Sequence, residues 1–221
     1  MKTTLAVFGG TFDPIHIGHL QLLVEVQEQC QFDQIKVIPC RLPALKAQPS
    51  VSAQQRVEML QLGLDTLDDQ SSFQIDTREL ERGGPSYTID TLRSLRTEYG
   101  DEKSITLILG LDAHANLPNW HQADAITKLT NILVVNRPGE TTDQTSHPDH
   151  TPLDSVDATL LRQSSAGLKA YCRITPLDIA SSQIRSRISQ NKNVQYLLPI
   201  AVWKTIQARG LYGYNGPAQN S

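Results

Sequence analysis

The chain has 221 residues, enough to bury one substantial core, and a single domain is the expectation. Its formal net charge of −3 carries neither a nucleic-acid footprint nor a membrane-surface charge, and no apolar run approaches the roughly 18 residues that span a bilayer. Gly9 and Gly10 interrupt the N-terminal apolar run too early for a signal peptide, and Cys30, Cys40 and Cys172 lack metal-ligand spacing, which predicts free thiols in a reducing cytosol.

Strand-like and helical stretches alternate, which predicts an α/β fold: a doubly wound, mostly parallel sheet covered on both faces and closed by C-terminal helices. Residues 5–8 read as a buried strand and 17–29 as a helix, with Leu20, Leu23, Val24 and Val26 as core positions. A second strand at 35–38 ends at Pro39, and residues 40–51, with Pro43 and Pro49, read as a loop. Ser52 is placed to cap a helix reaching residue 67, with Val57, Leu60, Leu64 and Leu67 on one face. A short strand at 73–75, a turn at Gly83, Gly84 and Pro85, and a helix at 87–99 follow. The clearest strand is 105–109; a helix at 123–129 and a strand at 132–135 come next. Residues 138–155 are polar and aperiodic and read as an exposed excursion. A short helix at 157–167, a last strand at 172–174 and helices at 181–189 and 199–209 complete the pattern, with Pro199 suited to a first helical position. One domain over 1–212 with a frayed tail at 213–221 is the resulting expectation.

The most specific stretch is 9–19, Gly-Gly-Thr-Phe-Asp-Pro-Ile-His-Ile-Gly-His. Gly9 and Gly10 lack a Cβ, so the backbone can approach a ligand closely and adopt positive φ. Asp13 and Pro14 mark a turn. The helix that follows presents free N–H groups and positive dipole potential to an anion. His16 and His19 share one face of its first turn, and their rings can donate to phosphate oxygens. The dipole disfavours the imidazolium form, whereas a bound polyphosphate favours it. Gly18 lowers helix propensity by about 1 kcal/mol relative to Ala, which a ligand lying against the helix backbone explains. These features suit a nucleoside triphosphate.

The string from Gly9 to His19 resembles the N-terminal signature of the nucleotidyltransferase superfamily, with its Rossmann-like fold, and in this long form that of bacterial nicotinate-nucleotide adenylyltransferases. Residues 16–19 also match the ATP-binding signature of class I aminoacyl-tRNA synthetases. The chain lacks a Lys-Met-Ser-Lys-Ser-type loop and an anticodon domain.

Ligands of open α/β sheets gather beyond the carboxyl ends of the strands. Polar and cationic residues recur there: Arg41 and Lys46, then Gly110, Asp112 and later Trp120, then Arg137, then Ser181, Ser182 and Arg185. Ser182 and the free N–H groups of its helix can hold a phosphate, with Arg185 one turn on. The resemblance implies that Gly9, Gly10, Thr11, Phe12, His16, Gly18, His19, Ser181, Ser182 and Arg185 bind the triphosphate side of ATP. It implies that Gly110 passes close to the nucleotide and that Asp112 contacts its ribose. Ser86, Tyr87, Thr88 and Trp120 are implied to form a nicotinate-ring pocket, where an aromatic ring stacks on the pyridine and backbone N–H groups hold its carboxylate. Lys46 is implied to meet the mononucleotide phosphate, and Arg137 ranks below it. Three departures stand out: Leu45 replaces a His, Ala44 replaces a Pro, and Ala180 stands where Ser is commoner. His147 and His150 read as part of a solvated loop, and His114 and His121 have weaker claims.

The resemblance covers residues 5 to about 212. It implies transfer of AMP from ATP to nicotinate mononucleotide, giving nicotinate adenine dinucleotide and pyrophosphate in NAD biosynthesis. His16, His19 and Arg185 are the catalytic candidates. Mg²⁺ is implied as the cofactor, bridged through ATP phosphates rather than held in a protein metal site. ATP and nicotinate mononucleotide are the implied partners, with no nucleic acid and no membrane, in the cytoplasm; a homo-oligomer is left open. The alternatives are a relative preferring nicotinamide mononucleotide or phosphopantetheine, the latter disfavoured by Ser86, Tyr87, Thr88 and Trp120, and a tRNA-synthetase-like nucleotide-binding module.

Overall fold

The structure is a computed structural model that describes residues 4–43, 48–136, 158–175 and 177–216. The elements run β1 (Thr4–Gly10), α1 (Ile17–Cys30), β2 (Gln34–Pro39), α2 (Ala53–Leu64), β3 (Phe73–Ile75), α3 (Arg78–Glu81), α4 (Thr88–Tyr99), β4 (Ser104–Gly110), α5 (Leu111–Ala115), α6 (Ala123–Leu129), β5 (Asn131–Asn136), α7 (Ala158–Gln163), β6 (Lys169–Arg173), α8 (Ser181–Ser189) and α9 (Ile200–Arg209). The six strands form one parallel sheet in the order β3-β2-β1-β4-β5-β6. Register pairs Leu5 with Ile105, Ile108 with Leu133 and Val135 with Cys172. β1 and β4 are apolar runs without alternation, as strands covered on both faces must be. The order turns back at β1, the strand that leads into the 9–19 segment.

The described residues group into two compact units. One comprises Met1–Phe8, Val24–Lys36 and Tyr87–Asp178. Its core includes Leu5, Val26, Phe32, Ile89, Leu92, Ile105, Ile126 and Leu133. Arg96 of α4 is 7% exposed and donates to the carbonyls of Leu129, Gly100, Lys103 and Ser165 at 2.7–2.9 Å, so one guanidinium satisfies several chain turns at once. Thr4 and Asp33 form a second tie: the Thr4 N–H and Oγ1 donate to Asp33 Oδ2 at 2.6 and 2.8 Å.

The other unit comprises Gly9–Leu23, Val37–Ser86 and Ile179–Ser221. Phe12, Ile15, Leu23, Met59, Leu60, Ile184, Val202 and Ile206 form its core. Ser52 and Gln55 make a reciprocal capping box at the start of α2. Gly63 lets α2 approach Ile15 closely, since a Cβ there would lie 3.2 Å from the Ile15 side chain. Arg209 of α9 makes a bidentate pair with Glu58 of α2 at 2.6 and 2.7 Å.

Several boundaries differ from the sequence expectation. α2 stops at Leu64 rather than residue 67, and its buried face carries Arg56, Met59, Leu60, Gly63 and Leu64. Val57 and Leu67 are only half-buried. In α1, Leu22 is buried and Val24 half-buried. β6 begins at Lys169 and ends at Arg173. Pro199 is the N-cap of α9, not its first helical residue. Helices α3 and α5 were not expected; at four and five residues they are too short to show periodicity. Within the expected tail, Tyr214 packs edge-to-face on Trp203 at 5.2 Å and its hydroxyl accepts from Gln207. The 138–155 excursion and residues 217–221 lie outside the described residues. All three cysteines are free thiols, two of them buried.

Candidate functional site

The start of α1 is set by the His16 carbonyl, which accepts from the N–H groups of His19 and Leu20 at 2.9 and 3.3 Å. His16 is 3% exposed, and His19 is half-buried. Three residues apart on one turn, their rings stack with centroids 3.7 Å apart and planes 24° apart. Phe12 meets His19 edge-on at 5.2 Å.

The glycines act differently from the sequence expectation. Gly9 and Gly10 continue β1, and neither has a positive φ; Phe12 does, at 48°. A Cβ on Gly10 would lie 2.8 Å from the Phe12 ring, which is 1% exposed. Gly10 is therefore required by a packed side chain. A Cβ on Gly18 would come within 3.2–3.3 Å of the His16 ring, so Gly18 makes room for that imidazole. At Gly9 a Cβ would meet nothing within 4 Å, leaving open space there.

α8 begins beside the Asp13–Pro14 turn. Ser181, its first residue, donates from Oγ to the Pro14 carbonyl at 2.9 Å. Arg185 Nη1 donates to the Asp13 carbonyl at 2.7 Å and lies 3.7 Å from Asp13 Oδ2. The N-cap residue Ala180 makes no side-chain cap, and Ser182 is exposed. Two helix starts, both rich in donors, thus share one turn. Asp13 itself is buried, and its carboxylate accepts from the Ser50 N–H and the Tyr212 hydroxyl at 2.7 and 2.9 Å. Arg56, 1% exposed, donates from Nη1 to the Thr11 carbonyl at 2.7 Å. Its buried Nε has no hydrogen-bond partner, and among the described residues no carboxylate lies within ion-pair distance of it.

The other unit carries the remaining candidates. Gly110 is the N-cap of α5, with exposed Asp112 in its first turn. Trp120 ends the 3₁₀ turn Leu117–Asn119 and is half-buried. Tyr87 is the N-cap of α4, ahead of Thr88. Its ring lies 4.6 Å from that of His121. Ser86 belongs with the first-described candidates: its Oγ accepts from the Arg41 N–H at 2.9 Å, fastening the segment after β2. Lys46, Ala44, Leu45, Arg137, His147 and His150 lie outside the described residues. Among the described residues, no group of three or more His, Cys, Asp or Glu could hold a metal ion.

Comparison with known proteins decides the family. The cytidylyltransferase-like family matches residues 7–192. A probable nicotinate-nucleotide adenylyltransferase of Cellvibrio japonicus is 40% identical over 214 residues, covering 96% of this chain and 100% of that protein. One from Legionella pneumophila is 40% identical over 212 residues, covering 95% and 99%. The chain belongs to the nicotinate-nucleotide adenylyltransferase family. Its fold is that of the Plasmodium falciparum nicotinic acid mononucleotide adenylyltransferase solved with NaAD, at a TM-score of 0.75 and 17% identity over 96% of this chain and 98% of that one.

For a nicotinate-nucleotide adenylyltransferase, sequence reasoning missed three features: Arg56, Tyr212 and the placing of His121 against Tyr87. Arg56 had a signal. It shares a helical stripe with Leu60, Gly63 and Leu64, at spacings of four, seven and eight, so a cation stood on an apolar face. Tyr212 had only its flanking glycines, Gly210 and Gly213.

Proposed function

We propose that this chain transfers the adenylyl group of ATP to nicotinate mononucleotide, releasing pyrophosphate. A phosphate oxygen of the mononucleotide attacks the α-phosphorus in line. The new P–O bond forms as the bond to the β-phosphate bridging oxygen breaks, and the electron pair leaves with pyrophosphate. The nucleophile is already an anion, so no general base is needed. The protein's task is to hold two mutually repelling anions in register and to neutralise charge on the transferring group and the leaving pyrophosphate.

The observation that carries this reading is the meeting of His16, His19 and Arg185 around the one turn at Asp13 and Pro14. Imidazole donors, open helix N–H groups and a guanidinium there suit a triphosphate. Arg56, tied to the Thr11 carbonyl, adds a buried positive charge near this turn. On the acceptor side, Lys46 takes the mononucleotide phosphate, Trp120 and Tyr87 flank the pyridine ring, and Thr88 at the open start of α4 helps receive its carboxylate. Gly110 and Asp112 receive the adenosine part. Mg²⁺ arriving with ATP would supply further charge neutralisation on the triphosphate, beside the donors of His16, His19 and Arg185. The substrates are small molecules; no helix among the described residues is long and apolar enough to cross a membrane.

The test is pyrophosphate release from ATP with nicotinate mononucleotide, and in parallel with the nicotinamide form. Faster turnover with the acid is expected. Preference for the amide changes the assigned acceptor, and no release with either mononucleotide, combined with retardation of tRNA at low salt, replaces the reading with a synthetase-like module.

A further inference from the structure

We infer that Tyr212 is a positioning residue, holding the Asp13 carboxylate so that Arg185 stays available to the triphosphate. The inference rests on the reading above that Arg185 grips ATP.

Asp13 is 3% exposed, and both its oxygens are engaged. Oδ1 accepts from the Tyr212 hydroxyl at 2.9 Å and Oδ2 from the Ser50 N–H at 2.7 Å. Arg185 Nη1 sits 3.7 Å from Oδ2 but hydrogen-bonds the Asp13 carbonyl at 2.7 Å. Among the described residues, Arg185 makes no other hydrogen bond, so Nε and Nη2 are open, and its side chain is 32% exposed. The guanidinium is thus tethered by one nitrogen at the turn that leads into α1.

A buried carboxylate that loses a donor must find another. Among the described residues, Arg185 is the only cation within ion-pair distance of it. Closing the 3.7 Å gap to a direct pair would commit the guanidinium edge that the triphosphate needs. The Tyr212 hydroxyl prevents that capture. Its backbone is strained to reach the position: φ is 58° and ψ 24°, a left-handed conformation that non-glycine residues disfavour. Strain beside a buried polar group marks a position over-determined by its surroundings. Burial first, and then the Asp13 charge, push the phenol above its ordinary pKa, so it stays a donor at working pH. Ser50 and the Asp13 main chain do not replace it, because each serves a different atom.

The test uses Tyr212→Phe, which keeps the ring, with calorimetric binding of α,β-methylene-ATP and steady-state kinetics. Affinity for the analogue is expected to fall about tenfold. KM for ATP rises in step, and KM for the mononucleotide stays put. In an Arg185→Gln background, Tyr212→Phe adds no further loss, because the effect runs through Arg185. Wild-type affinity in Tyr212→Phe overturns the inference. So does an equal loss with and without Arg185, the mark of a merely structural role. Should Tyr212→Phe not fold, the double variant Tyr212→Phe with Asp13→Asn is read instead: a neutral side chain at 13 has no charge to capture Arg185, so affinity is expected to stay near wild type, and a tenfold loss there overturns the inference. Binding of the analogue needs no turnover. Failure of the adenylyl-transfer reading therefore shows as absent pyrophosphate release by the wild-type protein, separate from any change in affinity.

Discussion

His19 is the residue whose role is most exposed to test. It stands on the first turn of α1, stacked on a buried imidazole and bordered by the edge of Phe12. That surround fixes its ring before any ligand arrives, which is what an electrostatic donor requires. His19→Ala is expected to lower kcat about 100- to 1000-fold, with little change in KM for the mononucleotide. Steady-state kinetics with kcat near wild type would remove His19 from the machinery. The residues that support this geometry are small for steric reasons: Gly10 clears the Phe12 ring and Gly18 clears the His16 ring. The string was legible as a strand end, a turn and a helix start, but the reason for its glycines was not. A sequence shows that a Cβ is missing; it does not show what occupies the space.

Elements differ in how their ends are satisfied. α2 begins with a closed capping box, whereas α8 begins at Ala180 with no side-chain cap. The first arrangement is self-sufficient, and the second leaves the first N–H groups of the helix without a side-chain cap. Elsewhere a single side chain ties elements together. Arg96 projects from α4 onto carbonyls at the end of α6, after α4 itself and after α7. Arg96→Met would keep the aliphatic stem and strand those acceptors. A loss of roughly 3 kcal/mol or more is expected in urea unfolding, and a midpoint shift within error would show that other donors or water satisfy them. Helices α1, α6 and α8 were legible at or near their ends because apolar spacing is a local signal. The face of α2 was misjudged because a buried arginine breaks the rule that charge points outward.

At the scale of the molecule, formal charge is nearly balanced, and pH acts through particular pairs rather than through the net value. Asp33 is one such group. The Thr4 N–H, then the Thr4 hydroxyl, hold its carboxyl below the usual range. A carboxyl whose folded pKa is lowered contributes stability above its unfolded value, about 3.9, and loses it as pH falls through the folded value. Asp33→Asn should therefore melt below wild type at pH 6, and the two melting curves should converge as pH drops under about 4. A gap independent of pH would place the Asp33 contribution outside its charge.

The sequence by itself determined the alternation of strands and helices, both donor-rich helix starts and the family signature, because each is written within about a dozen neighbouring residues. Tertiary structure alone decided which far-apart groups meet. Arg185 reaches Asp13 across 172 positions and Tyr212 reaches it across 199. Chain folding brings such groups within hydrogen-bond range, and no periodicity records it. The same closure turned Arg56 inward to the Thr11 carbonyl, where local pattern alone offered only an anomalous cation.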